Sequence, residues 1–303
     1  MIFTCLLISG ILAGCSLSAV NTPSPTQAQG EQPTDTASSM DDGETPTEAS
    51  SPEPTPYDAA SQPGAEAIYI AAPGSGSQVV SPLTVEGIAD SALGSSVTVQ
   101  LFQMSESGEP YAGLLAQQPV SIQPQMGTTG PFKTELTFTP QAGNPVGWVA
   151  VSFSDPVTGA LVHVSTAQVT LLTSGEAQIA VPEQSAETIQ IATPTSGQAV
   201  SRGQVEISGR SDYFFESNLG VMLCATSGDM SGAPHALCGN SALVLAQGNL
   251  MIESPDMGIG GPFNGSIAFQ VDAETPARLV IYALSPRDGS ILHLSSVAIT
   301  LEP

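Results

Sequence analysis

Between residues 67 and 303 the chain alternates apolar and polar side chains in short runs, with no sustained helical period. Val97, Val99 and Leu101 point one way while Thr98 and Gln100 point the other. Phe132, Leu136 and Phe138 alternate with Lys133, Glu135 and Thr137. Leu219, Val221 and Leu223 repeat the first pattern, and Phe263, Ile267 and Phe269 the second. Period-2 alternation broken by Gly, Pro, Asn and Asp predicts half-buried antiparallel strands. About seven such strands in roughly 110 residues predict a two-sheet sandwich.

The pattern occurs twice. Ile68-Tyr69-Ile70-Ala71-Ala72-Pro73 matches Ile189-Gln190-Ile191-Ala192-Thr193-Pro194, and Ser75-Gly76 matches Ser196-Gly197. Thr84-Val85-Glu86-Gly87 matches Glu206-Ile207-Ser208-Gly209, and Gly130-Pro131-Phe132 matches Gly261-Pro262-Phe263. Two closing hairpins, 149–171 and 279–301, also align, with turns at Asp155-Pro156 and Ser285-Pro286. Units of this length are whole duplicated domains rather than solenoid repeats. The expected organisation is a leader over 1–15, a linker over 16–66, one domain over 67–174, a second linker over 175–187 and a second domain over 188–303.

These stretches resemble the immunoglobulin-like domain associated with bacterial spore-germination proteins. That pattern has an apolar strand, then Pro, Gly and Val, a strand ending at Gly, an aromatic-Glu pair, a Gly-aromatic strand start and a final apolar hairpin. The second copy carries Pro194, Gly197, Val200, Gly209, Phe214-Phe215-Glu216 and Gly261-Pro262-Phe263. The first copy carries Pro73, Gly76, Val79 and Gly87, with Ala92-Leu93-Gly94 in place of the aromatic-Glu pair. The resemblance implies an all-β chain of two tandem immunoglobulin-like antiparallel β-sandwiches. It names no ligand, because sandwiches host many functions.

Residues 1–14 form an apolar run too short for a spanning helix of about 20 residues and read as the apolar part of a secretory signal. Leu12-Ala13-Gly14-Cys15 resembles the lipobox of bacterial lipoproteins, which implies a lipid thioether on Cys15 and cleavage before it. The expected address is therefore the cell membrane, lipid-anchored, with the chain facing the extracytoplasmic side. Segment 16–66 is rich in Ser, Thr and Pro, has nine acidic residues and no basic one, and is expected to be a disordered tether. In the whole chain 28 acidic residues face 5 basic ones, Lys133, Arg202, Arg210, Arg278 and Arg287, which do not cluster. Phosphate neutralisation needs grouped cations, so nucleic acid is excluded as a partner.

Candidate chemistry is sparse. Cys224 and Cys238 flank a Gly-rich excursion and are expected to form a disulfide, with a redox or metal-binding thiol pair as the rival. His163 and His293 share one repeat position but belong to separate domains, without a Cys or His at ligand spacing, so they read as strand residues inherited by duplication. His235 lies in a loop near Cys238 without further ligands at suitable spacing. Asp155, Asp212, Glu216, Asp229, Asp256 and Asp288 read as turn acids rather than a calcium site. Glu86 and Glu206 sit in different domains and make no glycosidase pair. No metal, cofactor or catalytic residue is expected. Tyr213, Phe214 and Phe215 are the best candidates for an exposed binding patch, since consecutive aromatics on a strand cannot all face inward; with Trp148 and Tyr282 they suggest sugar stacking. The expected function is a non-catalytic envelope lipoprotein that binds an envelope protein or polymer, with a link to germination implied by the family resemblance alone. The alternatives are a carbohydrate-binding surface module and a hydrolase with its site between the domains.

Overall fold

The structure is a computed structural model. It describes residues 66–90, 93–104, 113–123, 129–182, 187–226, 237–239 and 243–303, all within the compact unit Pro54–Pro303. Cys15, Asp229 and His235 lie outside the described residues, as do 1–65 of the expected leader and tether.

Eight strands form the first sandwich: β1 Ile68–Ala72, β2 Ser77–Val79, β3 Leu83–Asp90, β4 Ser96–Gln103, β5 Leu114–Ser121, β6 Thr129–Leu136, β7 Val146–Ser154 and β8 Leu161–Leu171. The second repeats them as β9 Ile189–Thr193, β10 Ala199–Val200, β11 Gln204–Ser211, β12 Asn218–Ala225, β13 Leu243–Met251, β14 Gly261–Ala268, β15 Thr275–Leu284 and β16 Ile291–Leu301. In each copy a three-stranded sheet, β1-β3-β6 or β9-β11-β14, packs on a second sheet, β5-β4-β7-β8 or β13-β12-β15-β16. The architecture is two tandem immunoglobulin-like sandwiches. The alternating residues supply the two cores. Ile68, Val85, Val99, Leu101, Phe132, Val149 and Val169 are buried in one, and Ile189, Val205, Val221, Leu223, Phe263, Leu279 and Ile299 in the other.

The repeated motifs have local causes. Proline has no N–H for a ladder; after Pro73 and after Pro194 the chain leaves the small sheet and crosses to pair in parallel with the last strand of the large one, β2 on β8 and β10 on β16. Gly76 and Gly197, with φ of 88° and 76°, make the bend in which L side chains are strained. Gly87 and Gly209 do not end their strands as the sequence pattern suggests. They sit within β3 and β11, directly opposite Phe132 and Phe263. A Cβ on Gly209 would stand 2.4 Å from the Phe263 ring and 2.1 Å from the Gln190 carbonyl oxygen, so the glycine makes room for the ring.

The two large sheets are one. β8 and β16 pair antiparallel through His293 opposite Ser165 and Leu294 opposite Val164, producing a single ten-stranded sheet. The pairing obeys a local twofold axis. Thr166 Oγ1 donates to the Leu292 carbonyl at 2.7 Å, and Ser296 Oγ donates to the Val162 carbonyl at 2.7 Å. On the face away from the cores, Val164 and Leu294 pack with Met222, Cys224, Cys238 and Val280. Cys224 and Cys238 are disulfide-bonded, with Cα atoms 5.6 Å apart. The neighbouring Gly239 lies against the β7–β8 turn: a Cβ there would be 2.3 Å from the Thr158 carbonyl oxygen. The segment after β8 is strapped to the first sandwich, with Gly74 N–H donating to the Ala180 carbonyl and Gln78 and Gln178 bridging.

Candidate functional site

The core-side face of the β8–β16 junction carries His163, Ser165, His293 and Ser295. Odd-numbered residues of each strand face the cores, as Ala167, Val169 and Leu171 do in β8 and Val297, Ile299 and Leu301 do in β16. Near the axis Glu66 and Glu187, each two residues before the first strand of its repeat, meet these four side chains.

The four ionisable groups converge. His163 Nε2 lies 3.1 Å from Glu66 Oε1 and 3.6 Å from Glu187 Oε1. His293 Nε2 lies 3.1 Å from Glu187 Oε1 and 3.4 Å from Glu66 Oε1. The imidazole centroids are 5.2 Å apart with the rings perpendicular. Side-chain exposure is only 4% and 5% for the histidines and 6% and 13% for Glu66 and Glu187. The partners of the carboxylates follow the twofold. Ser165 Oγ donates to Glu66 Oε1 and Ser295 Oγ to Glu187 Oε1, both at 2.9 Å. The outer oxygens are held by the opposite repeat: Thr188 N–H donates to Glu66 Oε2 and Ala67 N–H to Glu187 Oε2, both at 2.8 Å.

Buried charge is costly unless paired and hydrogen-bonded. Burial alone would push the Glu66 carboxyl up. The His293 charge, the His163 hydrogen bond and charge, and the Thr188 N–H outweigh it and hold Glu66 down at about 2. For His293, burial works against the cation, but Glu66, Glu187 and Asp212 outweigh it and raise its pKa. Two imidazoles and two carboxylates are also a complete donor set for a divalent ion, since their four ligand atoms all lie within 4.8 Å of one another.

This corrects the reading of His163 and His293 as residues of separate domains without ligand partners: the β8–β16 pairing brings them together with Glu66 and Glu187. Antiparallel pairing of β8 with β16 sets each histidine beside the other repeat's serine, so equivalent positions meet at the axis. The two glutamates were missed because each stands last in a segment read as linker. The available signal was Glu-x-Ile-x-Ile-Ala at 66–71 and 187–192, matched to His-x-Ser at 163–165 and 293–295.

The other candidates do not converge. Tyr213, Phe214 and Phe215 leave β11 in a loop and a 3-10 turn at Phe215–Ser217 rather than on a strand. Phe214 packs on the second core, Tyr213 is half-buried and Phe215 is 58% exposed. Trp148 and Tyr282 are half-buried. Asp155 Oδ1 accepts from Val157 and Thr158 N–H, and Asp288 Oδ1 from Ser290, as turn acids do. Asp256 likewise accepts from Met257 N–H. Asp212 and Glu216 lie in the exposed stretch between β11 and β12. Glu86 pairs with Lys133 at 2.7 Å on one sandwich, and Glu206 accepts from Gln204 Nε2 on the other.

No family model matches the chain, and no curated protein matches it. Among solved structures, a marsupial T cell receptor is similar over 78% of this chain and 74% of its own, at 8% identity and a TM-score of 0.23. A calcium binding domain, CBD12 of CALX1.1, is similar over 70% of this chain and 79% of its own, at 10% identity and a TM-score of 0.21. Scores of this size carry no argument about the site, and the sandwich assignment rests on the sheet order and the two cores.

Proposed function

We propose that this chain is a membrane-anchored cell-envelope lipoprotein whose paired sandwiches act as one non-catalytic binding or structural module. The observation that carries the module is the β8–β16 weld. Edge strands are exposed templates for unwanted pairing. Here β2 and β16 together cover the outer edge of β8, and β10 and β8 that of β16. Two domains joined in this way move as one body, which suits a spacer that presents loops at a distance from a surface. The anchor rests on Leu12-Ala13-Gly14-Cys15, through acyl chains that each contribute about 0.8 kcal/mol per buried methylene. Partners are sought among envelope proteins and polymers, those acting in germination included.

A hydrolase reading requires a carboxylate and a base that can reach a substrate. The four converging groups instead use their facing atoms on one another and on the serines. The carbohydrate reading requires several aromatics on one exposed face, and of the five aromatics named above only Phe215 is exposed. The test expresses the full chain and a Cys15→Ala variant with labelled palmitate. Label and membrane retention in the parent, both lost in the variant, support the reading; an unlabelled parent that fractionates away from membranes refutes it.

A further inference from the structure

We infer that Glu66, His163, Glu187 and His293 form a closed four-coordinate site for a divalent transition ion of the zinc class, which staples the two sandwiches at their twofold axis. The argument starts from distances. A tetrahedron with metal–ligand bonds of about 2.0–2.1 Å has edges of about 3.3–3.4 Å. The four Nε2-to-Oε1 distances are 3.1, 3.4, 3.6 and 3.1 Å, and no pair of ligand atoms exceeds 4.8 Å. Both imidazoles turn the same nitrogen inward, and both carboxylates turn one oxygen inward.

The surroundings match those of a metal ligand shell. Each carboxylate has its outer oxygen fixed by a backbone N–H of the opposite repeat and its inner oxygen steadied by a serine hydroxyl. Outer-shell hydrogen bonds of this kind orient ligands and fix which atom faces the ion. Charge also balances: two carboxylates and two neutral imidazoles carry −2, which a divalent ion cancels in a site where uncompensated charge is costly. Calcium and magnesium are excluded by donor type, since calcium takes 6–8 oxygens and magnesium keeps an octahedral oxygen shell. Four protein ligands leave no open position, which is the arrangement of structural rather than catalytic zinc sites. Access exists from both sides. One groove is lined by Glu66, Tyr69, Thr188 and His293, and its twofold counterpart by His163, Glu187, Gln190 and Ser295.

The ligands come from four segments of both repeats, so an ion here would tie together parts of the chain that share no local structure. The inference is independent of the anchor, and Cys15→Ala should bind zinc like the parent. The test dialyses the full chain against chelator, then titrates it with zinc, with calcium and magnesium as controls. The expected result is one zinc per chain, no response to calcium or magnesium, and the visible spectrum of tetrahedral cobalt when cobalt replaces zinc. Glu66→Gln and His293→Ala should lose this binding, while His235→Ala keeps it. Chelator should lower the Tm of the parent and leave both quartet variants unmoved. Circular dichroism checks that the variants fold; the cobalt spectrum and the chelator shift of the parent decide the question even if they do not. A parent that takes up no zinc, or whose Tm ignores both zinc and chelator, overturns the site and leaves a proton-bridged His–Glu quartet.

Discussion

Replacing Glu66 with Ala should separate the stability of the two sandwiches. Glu66 Oε2 accepts from Thr188 N–H and Oγ1, at 2.8 and 3.0 Å, and Oε1 accepts from Ser165 and faces both histidines. Deleting the carboxylate strands several buried donors. Each unsatisfied donor costs about 1–3 kcal/mol, but water reaching the space left behind satisfies some of them. Breaking one partner out of a buried charged pair costs about 3–5 kcal/mol, and that range is the expected loss. Part of it falls on the junction, because Thr188 belongs to the second repeat and Ser165 to the first. The assay is urea unfolding in chelator, followed by circular dichroism, which sees both sandwiches, and by the fluorescence of Trp148, which stands on the first sandwich in a groove shared with Asp288, Ser290 and Ile291 of the second. The parent should unfold in one transition seen alike by both probes; Glu66→Ala should give probes that no longer coincide. Glu187→Ala, its twofold mate, should behave the same, and the double variant should lose less than the sum because the groups share partners. A chain trimmed to 67–303 should resemble Glu66→Ala. A loss under about 1 kcal/mol with coincident probes would refute the claim that this cluster joins the sandwiches.

Other outcomes follow from the same geometry. In the metal-free protein, the lowered Glu66 pKa gives a stabilisation present above pH 4.5 that is lost as pH falls toward 2. The raised His293 pKa gives one present below pH 6.5 that is lost as pH rises through the raised value. Stability measured across pH should therefore peak between these limits, and Glu66→Gln should flatten the acid side. Gly209→Ala puts a Cβ against the Phe263 ring and the Gln190 carbonyl and should cost about 3 kcal/mol in denaturant melts, with Gly87→Ala similar against Phe132. Replacing Cys224 and Cys238 by Ser should cost about 3 kcal/mol for a loop of this size. It should also speed hydrogen exchange in the β7–β8 turn, where Gly239 packs.

The period-2 alternation is a local property of the chain, so strands such as β4, β6, β12 and β14 were legible from a few residues each, and duplication was legible from matched strings. The disulfide was legible because Cys224 and Cys238 flank a Gly-rich segment that can turn back on itself. The aromatic run was legible only in part: Phe215 is exposed, but Tyr213 to Phe215 lie beyond the strand and Phe214 packs on the second core. The His–Glu cluster was legible only in fragments. Its hydrogen bonds join residues 97, 106 and 122 positions apart, and Glu66 reads in sequence as the last of nine acids in a polar tether.

The sequence by itself determined that each repeat buries one side of its strands, because side-chain alternation and turn residues act over neighbouring positions. Only the tertiary structure decided that the last strands of the two repeats lie edge to edge. Backbone N–H and C=O groups are the same at every residue, so which edge pairs with which is settled by packing and symmetry. That pairing turned two unremarkable histidines and two linker glutamates into one buried constellation.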